Sequence, residues 1–427
     1  MSFVCFPKVA RFTPKTLAAM HVVMTAAHGG HNSESVPLGG GAAVCERLCR
    51  EWAGREVTLI GSGPVAPEGV HYIRVGELDA LPSSLGEFEY ARFCRRFEEQ
   101  ATAAILSMRP RPVVLSHDIS EGPSFARLTR SGVDCLAILH VDVVDYFQRF
   151  YLGDLLPASW WTWLHSASRH LPWPDVLQLV FEKQLQAARS CRYLIVPSQP
   201  MKDILQRCYP EVRVEVVPWG SPVESVQAQP LDWELDERAP LLVTLSRIAP
   251  EKGQDLLLRA LKVGEERGEI PPGLTLAIVG APSYMMGQRY LAKLRKLASQ
   301  LRRVRVIFPG HLGGGAKQAV LERASVFVVC SRHESYGLTI MEAMSAGCPI
   351  VAVPSYGVAA TVDESCARIC AGDSPAALWQ QISLLLGDPP LRASLGQAAR
   401  AKALGCGFDQ AADRLWKLCQ GHHRVIG

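Results

Sequence analysis

Short, unbroken apolar runs alternate along the chain with longer stretches in which apolar and charged residues follow a helical period. Residues 21–27, 56–61, 111–116, 135–140 and 193–198 are rich in Val, Ile and Leu without polar alternation. Such runs predict strands covered on both faces, as in a parallel sheet. Residues 41–52 carry apolar positions three and four apart and predict a helix. The pattern restarts after residues 218–240, a stretch rich in Pro, Gln and charge that reads as a linker. Runs at 240–246, 274–280, 305–310, 326–331 and 349–354 then predict five further strands with helices between them.

The expected fold is therefore α/β. Two Rossmann-like parallel-sheet domains, 1–219 and 220–400, face a central cleft, and a last helical segment from 401 to 427 returns to the first domain. Ligands of open parallel sheets bind beyond the carboxyl ends of the strands, so both halves would address that cleft.

Composition narrows the class. Of 427 residues, 48% are hydrophobic and 20% charged, which describes a folded globular chain. The net charge of +4 suits a phosphate-bearing ligand or acidic lipid headgroups. No long Lys/Arg run accompanies it, so nucleic acid is not an expected partner. The thirteen cysteines are odd in number and scattered, with no Cys-x-x-Cys pair. They read as reduced thiols of a cytoplasmic protein rather than a disulfide or zinc framework. Lys8, Arg11 and Lys15 interrupt any apolar core of a signal peptide. No run approaches the roughly 20 apolar residues of a transmembrane span.

Two segments carry chemistry. In SRHESYGLTIMEAMSAGCPIVAVP, residues 331–354, a strand ends near Ser331, a loop carries Glu334, and a helix starts at about Leu338 and is closed by Gly347 and Pro349. Gly337 lets the backbone approach a ligand, and the free N–H groups at the helix start suit a diphosphate. Glu334 and Glu342 would accept bonds from sugar hydroxyls, although either alone would read as a solvated carboxylate. In LVTLSRIAPEKGQDLLLRAL, residues 242–261, Arg247 and Lys252 flank a turn at a strand end. Two cations so placed can neutralise a leaving diphosphate; a solvated basic loop explains them equally well. His140 ends the run 135–139 at the crevice edge, and the glycines at 39–41 precede a helix.

Glu334, seven intervening residues and Glu342, together with the Arg247–Lys252 segment, resemble the motifs of retaining GT-B glycosyltransferases, particularly glycosyltransferase family four. Residues 37–43 resemble its first glycine-rich loop, His117 and His140 its strand-end histidines, Ser198 its serine after the first domain's last strand, and Gly280 and Gly310 its loop glycines. The resemblance implies that Arg247 and Lys252 hold the donor diphosphate, Glu342 the ribose and Glu334 the transferred sugar. It implies that backbone groups of Tyr336, Gly337, Leu338 and Thr339 reach phosphate or sugar. Gly310 and His311 would contact the base, and His140 would approach the donor sugar. Gly40 and Gly41 would let the first loop close on the phosphates. The implied partners are a nucleotide-sugar, UDP-linked by preference, and a sugar or sugar-phosphate acceptor.

Some features depart from that pattern. Thr361 and Val362 stand where an acidic residue is expected, Trp219 stands where a small polar residue is usual, and the first loop carries His28, His31, Asn32, Ser33 and Glu34. No Asp-x-Asp triplet occurs, so no metal is expected to be required. No P-loop or complete dinucleotide fingerprint is present. The acceptor reading turns on residues 146–174, with Trp160, Trp161, Trp163, Trp173, Arg149 and Arg169. These could meet a membrane surface peripherally, stack on a sugar or pack as core. Pro157, Pro172 and Pro174 interrupt the segment and no helical period is evident, so packing or sugar recognition is the expectation. A soluble acceptor follows, with sucrose-phosphate synthase-like transfer from UDP-glucose to fructose 6-phosphate as the first pairing to test. The alternatives are a lipid-linked or cell-surface glycan acceptor, and a sugar-nucleotide epimerase of the same shape.

Overall fold

A computed structural model describes residues 20–421 apart from 33–38, 77–84, 86, 118, 154, 169, 172, 174, 222–225, 235 and 237. Lys8, Arg11, Lys15, Ser33, Glu34, Pro37, Leu38, Arg169, Pro172 and Pro174 therefore lie outside the described residues.

Two parallel sheets organise the chain. The first contains β1 (Val22–Thr25), β2 (Val57–Gly61), β3 (His71–Arg74), β4 (Val113–His117), β5 (Asp134–Ile138), β6 (Tyr193–Val196) and β7 (Val214–Val216). Their spatial order is β3-β2-β1-β4-β5-β6-β7. The second contains β8 (Leu241–Leu245), β9 (Thr275–Val279), β10 (Arg305–Gly310), β11 (Val326–Val329), β12 (Ile350–Ala352) and β13 (Ala367–Ile369), in the order β10-β9-β8-β11-β12-β13. Every strand expected from the apolar runs is present. The strands that the runs did not announce, β3, β7 and β13, are all sheet edges. They are short or half-exposed, so they lack the continuous apolar signature of a buried strand. In each sheet the order reverses beside the first strand, between β1 and β4 and between β8 and β11. Crevices that accept ligands open at such switch points.

The chain crosses between the sheets twice, and the crossings lie side by side. Ser221 N–H donates to the Cys406 carbonyl at 2.7 Å, and Phe408 N–H donates to that of Ser221 at 3.0 Å. Gly220 lies in the left-handed region at φ +70, and a Cβ there would fall 2.5 Å from the Cys406 oxygen. Only glycine therefore fits this junction. Trp219, 2% exposed, fills the space beneath it. The helix Pro389–Leu404 stays with the second sheet, packed on the helix Leu338–Ser345. The final helix Phe408–Gln420 returns to the first, where the Trp52 indole donates to Ala412 O and meets Trp416 edge-on at 5.2 Å.

Residues 146–174 differ from expectation. Helices run over Val143–Tyr151 and Ala158–Ala167. Asp142 caps the first by accepting the Asp145 N–H at 2.9 Å. Pro157 immediately precedes the second, so a proline that reads as an interruption marks a helix start. Trp160 and Trp163 are 58% and 63% exposed and stand off both the core and the cleft wall, against the packing and sugar-stacking expectation. Trp161, in contrast, packs on a cluster with Val144 and Phe181, and Trp173 lies 5.7 Å from Phe181, as packing requires. No helix among the described residues is long and apolar enough to cross a membrane.

Candidate active site

The carboxyl ends of the central strands of both sheets open onto one cleft of about 530 Å³. After β8 the chain passes through Arg247 and a single 3-10 turn, Pro250–Lys252, to Gly253. Gly253 adopts φ +65, and a Cβ there would lie 2.0 Å from the Cys330 carbonyl oxygen. This close passage of two strand-end loops brings Lys252 against Glu334. Lys252 Nζ and Glu334 Oε2 are 2.7 Å apart, both side chains largely withdrawn from solvent. The Gln254 amide donates to Ser246 Oγ and to the Arg247 carbonyl, both at 2.9 Å, and so fixes the backbone that presents Arg247. The Arg247 guanidinium is 3.3 Å from Glu251, which is buried.

Glu334 is held from behind. Its carbonyl accepts the Gly357 N–H at 2.7 Å, and a Cβ at Gly357 would come within 2.8 Å of the Glu334 Cγ. Burial pushes its carboxyl up, but Lys252 foremost, then His333 and Arg247, outweigh that and hold it below the usual carboxylate range. Glu334 is thus an anion beside two cations. His333 is driven down to about 4 by burial first and then by the Lys252 charge, so it is neutral near pH 7.

Gly337, at φ +91, makes the left-handed entry to the helix Leu338–Ser345. Ile340 N–H already donates to the Gly337 carbonyl at 2.9 Å, so the N–H groups that this helix start presents at the cleft wall are those of Leu338 and Thr339. Tyr336 is anchored by accepting the Gly220 N–H at 2.9 Å. Glu342 accepts from Arg47 at 2.9 Å and from Lys317 at 3.1 Å, both on Oε1.

On the opposite wall stands His140, whose Nε2 is 3.2 Å from Nδ1 of the fully buried His117 behind it and whose ring lies 5.5 Å from that of Trp219. Burial lowers His140 to about 3 and, with the neighbouring His140, puts His117 well below the ordinary value. Both rings are neutral, and one donates to the other.

The residues singled out from the sequence therefore converge. Gly40, Gly41, His140, Arg247, Lys252, His311, Glu334, Tyr336, Gly337, Leu338, Thr339 and Glu342 all line this cleft. Gly310 is off the wall: it ends β10 at φ +82 with open space where a Cβ would point, and its carbonyl accepts the Gly280 N–H at 2.8 Å. Arg47, Lys317, His333 and Tyr146 also line the cleft without having been singled out for it. Arg47 and Lys317 sit on ordinary charged helix faces, and only the approach of the two domains gives them a shared partner. His333 adjoins Glu334, which was the available clue.

Two doubly wound parallel sheets facing one cleft define the GT-B glycosyltransferase fold. Residues 226–402 match the family model described as Glycosyl transferases group 1. The chain is 32% identical to a D-inositol 3-phosphate glycosyltransferase of Streptomyces avermitilis, over 57% of this chain and 55% of that protein. It is 35% identical to a GDP-mannose-dependent alpha-(1-6)-phosphatidylinositol monomannoside mannosyltransferase of Mycolicibacterium smegmatis, over 39% of this chain and 43% of that protein. The chain thus spans about half the length of the curated relatives it matches. The fold is shared with sucrose-phosphate synthase from Thermosynechococcus elongatus, at a TM-score of 0.70 and 18% identity, covering 94% of this chain and 98% of that one. It is also shared with Anabaena HepE, solved with UDP-glucose, at a TM-score of 0.66 and 14% identity, covering 94% of this chain and all of that one.

Proposed function

We propose that this chain transfers a hexose from a nucleotide-sugar, a UDP-sugar by preference, to a soluble phosphorylated acceptor with retention of configuration and without a required metal. The observation that carries this reading is the convergence of Arg247, Lys252, Glu334 and the start of the helix Leu338–Ser345 on one cleft. Preorganised positive charge there opposes the charge that develops on a leaving diphosphate. The second domain, residues 220–400, holds the donor, and the first faces the acceptor. Arg247 and Lys252 take the diphosphate, Glu342 the ribose, Glu334 the sugar hydroxyls, and His140 the donor sugar next to the acceptor.

In the reaction, the bond from the anomeric carbon to the phosphate oxygen breaks with its electron pair going to that oxygen. The acceptor oxygen bonds to the same face of the sugar and passes its proton to the departing phosphate oxygen. Neutral His117 and His140 offer no strong base, which suits a route in which the leaving group takes the proton. The names of several relatives, D-inositol 3-phosphate glycosyltransferases, and of the neighbouring sucrose-phosphate synthase support a phosphorylated polyol or sugar. Fructose 6-phosphate and inositol 3-phosphate are the first acceptors to test.

The test is a panel of nucleotide-sugars and acceptors, with and without EDTA, read as released nucleotide and anomeric configuration. Lys252→Ala should lower turnover on the active pair about 100- to 1000-fold, as removal of one fixed electrostatic donor commonly does. Near-normal turnover in a folded Lys252→Ala protein would defeat the assignment. Product formed only on a lipid-linked acceptor, or isomerised donor without any acceptor, would replace it with another reaction.

A further inference from the structure

The guanidinium of Arg47 reaches across the cleft from the first domain. It extends from the helix Gly40–Glu51, and its Nη2 donates at 2.9 Å to Glu342, which belongs to the second domain's helix Leu338–Ser345. Lys317, from the second domain itself, donates at 3.1 Å to the same oxygen, Oε1. The two side chains of the cross-domain pair are 17% and 11% exposed, so this is not a solvated surface contact. The start of the helix that carries Arg47 also meets the second domain: Gly40 packs on Leu338, where a Cβ would lie 3.1 Å from its Cδ1. Phe408 lies 5.9 Å from the guanidinium carbon and backs it on the side of the second chain crossing. The remaining nitrogen, Nη1, is buried without a hydrogen-bond partner among the described residues. An unpaired guanidinium donor is costly to bury, and Arg47 lines the cleft in which it sits.

We propose that Arg47 is a donor-positioning residue supplied by the first domain: Nη2 orients the Glu342 carboxylate, and Nη1 is the donor left for an oxygen of the nucleoside diphosphate. This rests on the reading that the cleft binds a nucleotide-sugar through Glu342. With Oε1 occupied by Arg47 and Lys317, Oε2 is the oxygen that can accept from the ribose hydroxyls. Because the contact spans both domains, the nucleoside end is fully recognised only when the domains are together.

The experiment uses the full chain and compares Arg47→Gln, Arg47→Lys, Glu342→Gln and the Arg47→Gln/Glu342→Gln double variant. Each is assayed for KM and kcat on the nucleotide-sugar and for UDP affinity by titration calorimetry. Losing one charge-assisted bond should raise KM and weaken UDP by about tenfold or more, with kcat changed less than about threefold. Lysine should restore part of the loss. The double variant should bind UDP no worse than the weaker single variant, since both act through one contact. Wild-type UDP affinity in Arg47→Gln, or in Arg47→Lys if the glutamine variant does not fold, overturns the proposal. So does a fall in kcat at unchanged KM. If the unmodified chain binds no UDP and turns over no nucleotide-sugar, the underlying reading fails instead. If it does both and only the Arg47 variants are silent, the reading stands and this proposal alone falls.

Discussion

At the scale of single residues, environment decides which groups are charged in the cleft. Glu334 stays ionised because cations surround it, whereas His140 is held neutral by burial. This has a consequence for stability. His140 falls to about 3 in the folded chain from an ordinary value of 6.5, so the unfolded chain binds that proton first as pH drops. The stabilisation is complete above pH 6.5 and is lost progressively toward pH 3, at up to about 1.4 kcal/mol per pH unit for one proton. The urea midpoint of the wild type should therefore fall more steeply between pH 6.5 and 4.5 than that of His140→Gln. Equal slopes would show that the imidazole is already protonated in the fold. The sequence announced Arg247, Lys252, Glu334 and Glu342 because they lie in two short segments whose order and spacing are distinctive. It could not announce Arg47: nothing on an amphipathic helix tells which exposed-looking cation will find a carboxylate 295 residues away.

At the scale of elements, the strand-end loops are shaped by glycines whose reasons differ. Gly280 adopts φ +140, and a Cβ there would fall 1.8 Å from the Ser246 carbonyl oxygen, at the strand end that presents Arg247. Gly310 has φ +82 but open space around the missing side chain. Gly310→Ala should therefore cost only the left-handed backbone penalty, about 1–2 kcal/mol. Gly280→Ala must in addition displace backbone, so it should lose more stability and also weaken nucleotide binding. Thermal unfolding and UDP titration of the two variants decide this; equal losses, or intact binding in Gly280→Ala, would contradict it. Buried central strands were legible because their apolar runs are uninterrupted. The edges β3, β7 and β13 were not, since strands of three or four residues with half-buried or exposed positions look like loop. The helix Ala158–Ala167 was missed because proline is a breaker inside a helix but a starter before one, and local sequence does not separate the two cases.

At the scale of the whole molecule, two sheets with the same winding had to be present for a cleft to exist, and the restart of apolar runs after residue 218 made that legible. The path of the last residues depends on contacts far apart in sequence. Trp52 is fully buried, donates to Ala412 and meets Trp416, while Arg55 reaches Asp413, so the first domain is completed by residues more than 350 positions downstream. Trp→Ala at such a core position costs about 3–5 kcal/mol, and removing the partner helix should cost no less. A chain ending at Leu404 should therefore show faster amide exchange in the helix Gly40–Glu51 and in β1. The strands β8 and β9 should keep their protection, because Leu242, Leu276 and Ile278 pack with the helices Gln254–Glu266 and Pro375–Gly387 in a core that the final helix does not enter. Hydrogen-exchange mass spectrometry on the full and shortened chains reads both regions in one experiment. Loss of protection confined to the second sheet would assign the final helix to the wrong folding unit. Uniform loss would mean that the two domains unfold as one, with the paired crossings at Ser221 and Cys406 as the coupling between them.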